Sequence, residues 1–210
     1  MLKITKPLNK LLWTLALTGV STFSVLGQET PNNPSSLISP ETKIDYTPLQ
    51  EELQQKQWLE ANETTTTLLL RSVNRERQGW MPQDEVKNIA CWDLKVIDDL
   101  WKQYSGGRFG FSVQFPIFVE TGNRPGRLVD TEAYDNFGSR IGWRNQDGWI
   151  QFKYSLDYSL DAPVGHLPNP RPEYQITGGR LNYTALTQRM VECGMVAYSD
   201  PRRPLNYQPR

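Results

Sequence analysis

The sequence predicts a mainly helical single domain behind a leader and a tether, and three observations predict it. Leu94, Ile97, Trp101 and Tyr104 recur at intervals of 3, 4 and 3 residues, the spacing of one helical face, and Gly106-Gly107 end the pattern. Thr47-Pro48 is a cap residue followed by proline at the first helical position. Leu186, Met190 and Cys193 lie on one side of "YTALTQRMVECGM", again closed by a glycine, Gly194.

The chain has 210 residues, which fits one domain of ordinary size with room for a leader. Its 23 basic and 23 acidic residues balance, so no polyanion-binding surface is indicated and nucleic acid is not an expected partner. Mean hydropathy is −0.58. Yet seven Trp, nine Tyr and seven Phe must be placed, and such side chains dominate both cores and binding sites.

Residues 1–27 read as a signal peptide or N-terminal anchor. Lys3, Lys6 and Lys10 precede an uncharged stretch from Leu11 to Gly27, and Val25 and Gly27 suit a cleavage site before polar Gln28. That stretch is short for a membrane span, and its Thr, Ser and Gly weaken a permanent anchor. A buried N-terminal helix is the third option. The expected address is therefore exported, in a periplasm or thylakoid lumen, or membrane-anchored through this segment. Residues 28–45, with Pro31, Pro34 and Pro40 among Ser, Asn and Thr, read as a disordered linker. The globular domain is expected over 46–198, with a flexible tail at 199–210.

Within the domain, "LQEELQQKQW" continues from the Thr47-Pro48 cap, with Leu49, Leu53 and Trp58 on its apolar side. The next candidate helix, "WLEANETTTTLLLRSVNRERQGW", contains four threonines, which are poor helix formers. Leu59, Leu68, Leu69, Leu70 and Val73 still give it a buried face, and Gly79 ends it. Pro82 opens a short helix with Asp84 and Glu85 in the first turn, where the dipole favours acids. "CWDLKVIDDLWKQYSGG" is the helix of the 3-4-3 pattern. Phe109, Phe111, Val113 and Phe115 then alternate, which by period alone argues for a strand, although Pro116 argues against a central one. A helix follows from Thr131 to about Phe137, then an alternating stretch, a proline-rich loop and the final helix.

Three ordered blocks resemble one family. "WLEANETTTTLLLRSVNRERQGWM" is similar to a Trp-x-x-Ala-Asp-x-x-Thr helix with a Gly-Trp end; "CWDLKVIDDLWKQYSGGRFGFSVQ" matches the most specific run; "FGSRIGWR", Trp149 and "YSLDAPVGHLP" follow in order. The stretch from Tyr46 to Met195 thereby resembles the GUN4 domain, a tetrapyrrole-binding family of chlorophyll-making organisms. The resemblance implies a compact helical "cupped hand" with two loops arching over an apolar palm. It implies a non-catalytic protein that binds protoporphyrin IX, Mg-protoporphyrin IX or a bilin and stimulates magnesium chelatase in chlorophyll biosynthesis, in support of photosynthesis. It also overrides the strand reading of Phe109–Gln114 in favour of helix or turn. Asn62 departs from the pattern, standing where Asp is usual.

A macrocycle has two broad apolar faces and a carboxylate rim, so its site needs aromatic and aliphatic walls with a few cations. Phe109, Phe111, Trp143, Trp149, Tyr158 and Leu167 are the candidate walls. Each taken singly serves a core as well as a ligand. The groove is expected between the Arg108–Gln114 turn and the Asp161–Arg171 loop. Arg108, Arg140, Arg144 and Arg171 are candidate propionate partners, with Asp98, Asp99 or Asp161 as alternative partners for Arg108 and Arg144. His166, the only histidine, is either an axial metal donor or a loop cap, the cap being the commoner use. Asn169 or a water would suit magnesium better.

Cys91 and Cys193 are the only cysteines. Export permits a disulfide between them. Intracellular members of the resembled family also carry Cys at similar places, so two buried thiols fit equally. Two Cys and one His scattered over the chain do not suit zinc. Gly-x-Ser-x-Gly, a phosphate-binding Gly-rich loop and His-Glu-x-x-His are all missing, so no enzyme and no required cofactor are expected. One conflict stands. Magnesium chelatase works on the cytoplasmic or stromal side, whereas a cleaved leader delivers the chain elsewhere. The alternative is an exported or membrane-anchored interaction module that keeps the fold but has lost chelatase activation or pigment binding.

Overall fold

In a computed structural model, residues 37–170 and 176–200 are described, with side chains from 179 onward in the last segment. The leader, residues 28–36 of the linker, Arg171 and the tail from 201 lie outside the described residues.

The fold begins earlier than the linker boundary suggests. Leu37 and Ile44 are buried, and Ser39 N–H bonds to Ile44 O (2.8 Å) while Tyr46 N–H bonds to Leu37 O (2.9 Å). The Ser39 hydroxyl accepts from the Glu41 and Thr42 amides, closing a tight turn. Residues 37–45 are thus folded onto the domain. Two apolar side chains, each two positions outside the Ser39–Thr42 turn, outweigh the Pro and Thr composition that suggested a tether.

Helix α1 (Thr47–Gln54) starts where Asp45 accepts the Thr47 amide (2.9 Å), with proline in its first turn. It packs on α2 (Trp58–Ser72) and α3 (Cys91–Tyr104). The threonines of α2 are tolerated because they are bonded: Trp101 Nε1–H donates to Thr65 (2.9 Å), and Thr66 donates to Asn62 O (3.1 Å). A 3-10 helix (Gln83–Asn88) connects α2 to α3.

The alternating phenylalanines form a helix, α4 (Phe111–Glu120). Phe111, Phe115 and Phe118 are spaced as one helical face and are buried. Gly110, at φ +133°, makes the entry bend, and Asp98 caps the first turn by accepting the Ser112 amide (2.8 Å). Helix α5 (Thr131–Arg140) is capped by Asp130 onto Ala133 N (2.9 Å). A two-residue antiparallel ribbon pairs Arg144 with Trp149 and Asn145 with Gly148. Helix α6 (Ile176–Glu192) closes the fold against the 3-10 helix, and it is longer than its sequence pattern indicated.

One apolar core runs through these elements. Trp58 packs against Trp101 and Phe109, with ring centroids 6.0 and 5.8 Å away. Phe118, Phe137, Trp143 and Tyr183 form a second aromatic group. A Cys91–Cys193 disulfide joins the start of α3 to the residue after α6, which decides between the two readings of those cysteines. Among the described residues no helix is long and apolar enough to cross a membrane.

Candidate functional site

The strap from Asp161 to Pro170 lies directly on the Arg108–Gln114 turn. Gly110 N–H bonds to Leu167 O (2.9 Å), Gly165 N–H bonds to Arg108 O (2.8 Å), and Arg108 donates to Ala162 O (2.8 Å). Gln114 Nε2 donates to both Gly165 O and Pro168 O (2.9 Å each). The groove expected between these segments is therefore closed, because their backbones satisfy each other's polar groups.

The predicted wall residues are brought together there, but as packing. Phe109, Phe111, Trp143 and Leu167 are fully buried. Phe109 sits edge-on to Trp58, and Trp143 Nε1–H donates to His166 O (2.6 Å). Trp149 stacks on Tyr134 (4.9 Å between centroids) and donates to Asp135 (2.8 Å) on the outer side of α5. Tyr158 is half-buried beside the strap. His166 has both ring nitrogens engaged: Nε2 accepts the Asp157 amide (3.1 Å), so Nδ1–H donates to Ile141 O (2.7 Å). That is the cap reading, and it leaves no ring lone pair for a metal. Arg140 pairs with Glu120 (2.9 Å), and Arg144 lies 3.9 Å from Asp135 rather than near the strap acids. Asp98 caps α4 and pairs with Lys102 (3.0 Å).

Open space occurs elsewhere. A cavity of about 80 Å³ opens to solvent between α2, the 3-10 helix and α6. Its apolar wall is Leu69, Leu70, Met81, Val86, Ile89 and Leu186, and Pro170 and Gly179 also line it. Two of its polar residues bond away from it, Thr66 to Asn62 O and Tyr183 to Gln114 (2.8 Å), and Asn182 donates to the backbone O of Met81 within the lining (2.8 Å). Burial pushes the Tyr183 phenol well above its ordinary pKa, so it stays neutral. The lining is thus apolar and uncharged. Lys87 follows the lining residue Val86 in the 3-10 helix and is exposed, Arg77 is exposed between α2 and that helix, and Arg75 pairs with Glu85. Among the described residues no group of three or more His, Cys, Asp or Glu is placed to hold a metal.

None of the wall residues expected from sequence lines this cavity. Its own residues were read as helix faces (Leu69, Leu70, Leu186) or passed over (Val86, Ile89). The Gly79-Trp80-Met81 end of the first block was the available signal, since it enters the cavity through Met81.

A family model described as GUN4-like matches residues 39–187. The chain belongs to the GUN4-like family. A Ycf53-like protein of Synechocystis sp. is 32% identical over 127 residues, 60% of this chain and 51% of that protein. A chloroplastic tetrapyrrole-binding protein of Arabidopsis thaliana is 30% identical over 143 residues, 61% of this chain and 49% of its own. The GUN4-like chain spans about half the length of these curated relatives. The solved structure of GUN4 from Chlamydomonas reinhardtii superposes with a TM-score of 0.56 at 31% identity, covering 72% of this chain and 93% of that one. Ligand-free Arabidopsis GUN4 gives 0.54 at 25% identity, covering 67% and 93%. The mainly helical GUN4 fold is therefore the fold of this domain, as the resemblance implied.

Proposed function

We propose that this GUN4-like domain binds a tetrapyrrole at the cavity between α2, the 3-10 helix and α6, and acts as a binding regulator rather than a catalyst. The observation that carries the reading is the lining: apolar side chains from three elements meet, Thr66 and Tyr183 bond away from the space, and Asn182 donates to the Met81 backbone. Such a surface accepts a flat apolar ring system and rejects a hydrated polar solute. At about 80 Å³ the enclosed space takes one edge of a macrocycle, and the rest lies across the mouth. Arg77 and Lys87 would meet propionates there in solvent, at a worth of about 1 kcal/mol or less each. Phe109, Phe111, Trp143 and His166 belong to the buried core of the fold that presents this site. The ligand class includes protoporphyrin IX, its magnesium complex and bilins.

The test is quenching of tryptophan fluorescence as protoporphyrin IX and Mg-protoporphyrin IX are titrated, with half-exposed Trp80 next to Met81 as the near reporter. Removing one apolar wall costs about 1.5 to 3 kcal/mol. Leu70→Ala should therefore weaken binding roughly tenfold to a hundredfold at about 1.4 kcal/mol per decade. Lack of saturable quenching at micromolar pigment would defeat the reading.

The leader-like Met1–Gly27 and the Cys91–Cys193 disulfide favour a second element of the proposal. Disulfides persist in oxidising compartments. The chain then handles pigment in a periplasm or thylakoid lumen, or at a membrane surface, instead of activating magnesium chelatase. Co-purification with chelatase subunits from the native source would reverse that assignment and place the protein in chlorophyll biosynthesis directly.

A further inference from the structure

Two segments that wall the cavity are pinned together at both ends. The connection from Met81 to Cys91 supplies Met81, Val86 and Ile89 to the lining, and α6 supplies Tyr183 and Leu186. At one end Asn182 of α6 donates to Met81 O (2.8 Å). At the other, Arg189 donates to Ile89 O (2.8 Å), and Cys193, the residue after α6, is bonded to Cys91, the first residue of α3. The disulfide thus sits beside lining residue Ile89 on one segment and about two turns beyond Leu186 on the other. Both cysteines are half-buried rather than sealed in the core. Without the covalent link this end rests on the Arg189 hydrogen bond, and Arg189 is also paired to Glu192 (3.5 Å). Water can replace such a bond, whereas it cannot replace a disulfide.

We propose that the Cys91–Cys193 disulfide is a redox gate on the ligand site: joined, it holds α6 against the Ile89 end of the connection, and when a dithiol reduces it the walls loosen and affinity for a flat apolar ligand falls. The proposal rests on the pigment-binding reading of that cavity. Preformed walls favour binding, because any wall that must be ordered by the ligand subtracts from affinity. In the reduction a thiolate of the dithiol attacks Cys193 Sγ and the S–S bond breaks. Cys91 leaves as a thiolate in the first turn of α3, where backbone N–H groups stabilise the anion. The second thiol of the reductant then attacks the mixed disulfide, closes the reductant's own disulfide and releases Cys193. Two electrons pass from the dithiol to the protein, and the two protons that the dithiol gives up end on the cysteine thiols. Affinity then follows the compartment: it is high where disulfides persist and low where dithiols keep cysteines reduced.

The experiment titrates protoporphyrin IX into the full chain, oxidised and after reduction with dithiothreitol. The reduced chain should keep its helical circular dichroism, bind about tenfold more weakly, and recover on reoxidation with oxidised glutathione. A chain carrying both Cys91→Ser and Cys193→Ser should bind like the reduced wild type and ignore dithiothreitol. By linkage, saturating pigment should make the bond harder to reduce by the same factor, a potential about 30 mV more negative. Equal affinity in the two redox states, or an unshifted potential, overturns the gate. Loss of the helical signal on reduction also overturns it, because the bond would then serve the whole fold rather than the site. Amide exchange measured without pigment is the second readout. Protection at Ile89–Cys91 and at Arg189–Cys193 should fall on reduction while α5 keeps its own. A wild-type chain that binds no porphyrin in either state overturns the pigment reading and the affinity half of the proposal, while exchange at these positions still decides whether the bond holds the wall.

Discussion

Gly138 on α5 has no room for a side chain: a Cβ there would lie 2.3 Å from the Trp149 ring. Alanine would displace an indole that is stacked on Tyr134 and bonded to Asp135. Overpacking of this kind costs about 1 to 3 kcal/mol, against about 1 kcal/mol gained from replacing glycine within a helix. Gly138→Ala should therefore lower Tm or leave it nearly level while changing the near-UV circular dichroism of Trp149. An unchanged spectrum would put the ring elsewhere. Glu52 gives a pH test at the same scale. Burial raises its carboxyl pKa, the Thr64 bond lowers it, and Glu60, Glu51 and Glu63 raise it further, with a net rise. An acid with a raised folded-state pKa contributes stability below its unfolded value and loses it as pH climbs through the folded one. The Tm gain of Glu52→Gln over wild type should thus be larger at about pH 7 than at about pH 4. A gain that grows on acidification would reverse the sign assigned here. Single residues were partly legible in the sequence. His166 follows its commoner reading as a cap, whereas Asp98, offered as an arginine partner, instead caps α4 and pairs with Lys102, and the Trp149 contact with Gly138 depends on a ribbon that no local pattern announces.

Elements were more legible than residues, and the one conflict between residue period and family resemblance has a clear cause. Phe109, Phe111, Val113 and Phe115 satisfy a period of two, yet Phe111, Phe115 and Phe118 also satisfy a helical face. Tertiary partners settle the tie: Asp98, thirteen residues before Phe111 on α3, supplies the cap that starts α4. Likewise the threonines of α2 are poor helix formers that acquire partners in Trp101 and Asn62 O. At this scale the disulfide carries the firmest prediction. It closes a loop with a sequence separation of 102, joining α3 to the end of α6. In the chain-entropy view such a link is worth about 4 to 5 kcal/mol. Arg189 adds a second tie between the same regions, donating to Ile89 O (2.8 Å). Denaturant midpoints with and without dithiothreitol should differ by about 1 M or more, given slopes of about 1 to 3 kcal/mol per molar in urea. Coincident curves would mean that the thiols are not joined.

The molecule as a whole explains why family and fold were readable and the cavity was not. Ordered blocks along the chain carry the GUN4-like pattern, and their glycines, caps and periodic leucines are local signals. The cavity is non-local: Leu69 and Leu70, Val86 and Ile89, and Leu186 come from segments that meet only when α6 packs on the 3-10 helix. Aromatic content drew attention instead to the strap, where the large rings are consumed by the core. The address of the chain is the remaining whole-molecule question, and two independent features bear on it. Met1–Gly27 has the basic, apolar, small-residue order of an export signal, and the one pair of cysteines is joined. If export and cleavage occur, protein from its native source has a mature N-terminus near Gln28, and mass analysis without reductant shows the two hydrogens of Cys91 and Cys193 missing. If the segment is an uncleaved anchor, Met1 is retained and the chain sediments with membranes. A chain that keeps Met1, stays in the soluble cytoplasmic fraction and carries two free thiols would overturn export. It would return magnesium chelatase to the front of the possible partners, because pigment and chelatase would then share a compartment.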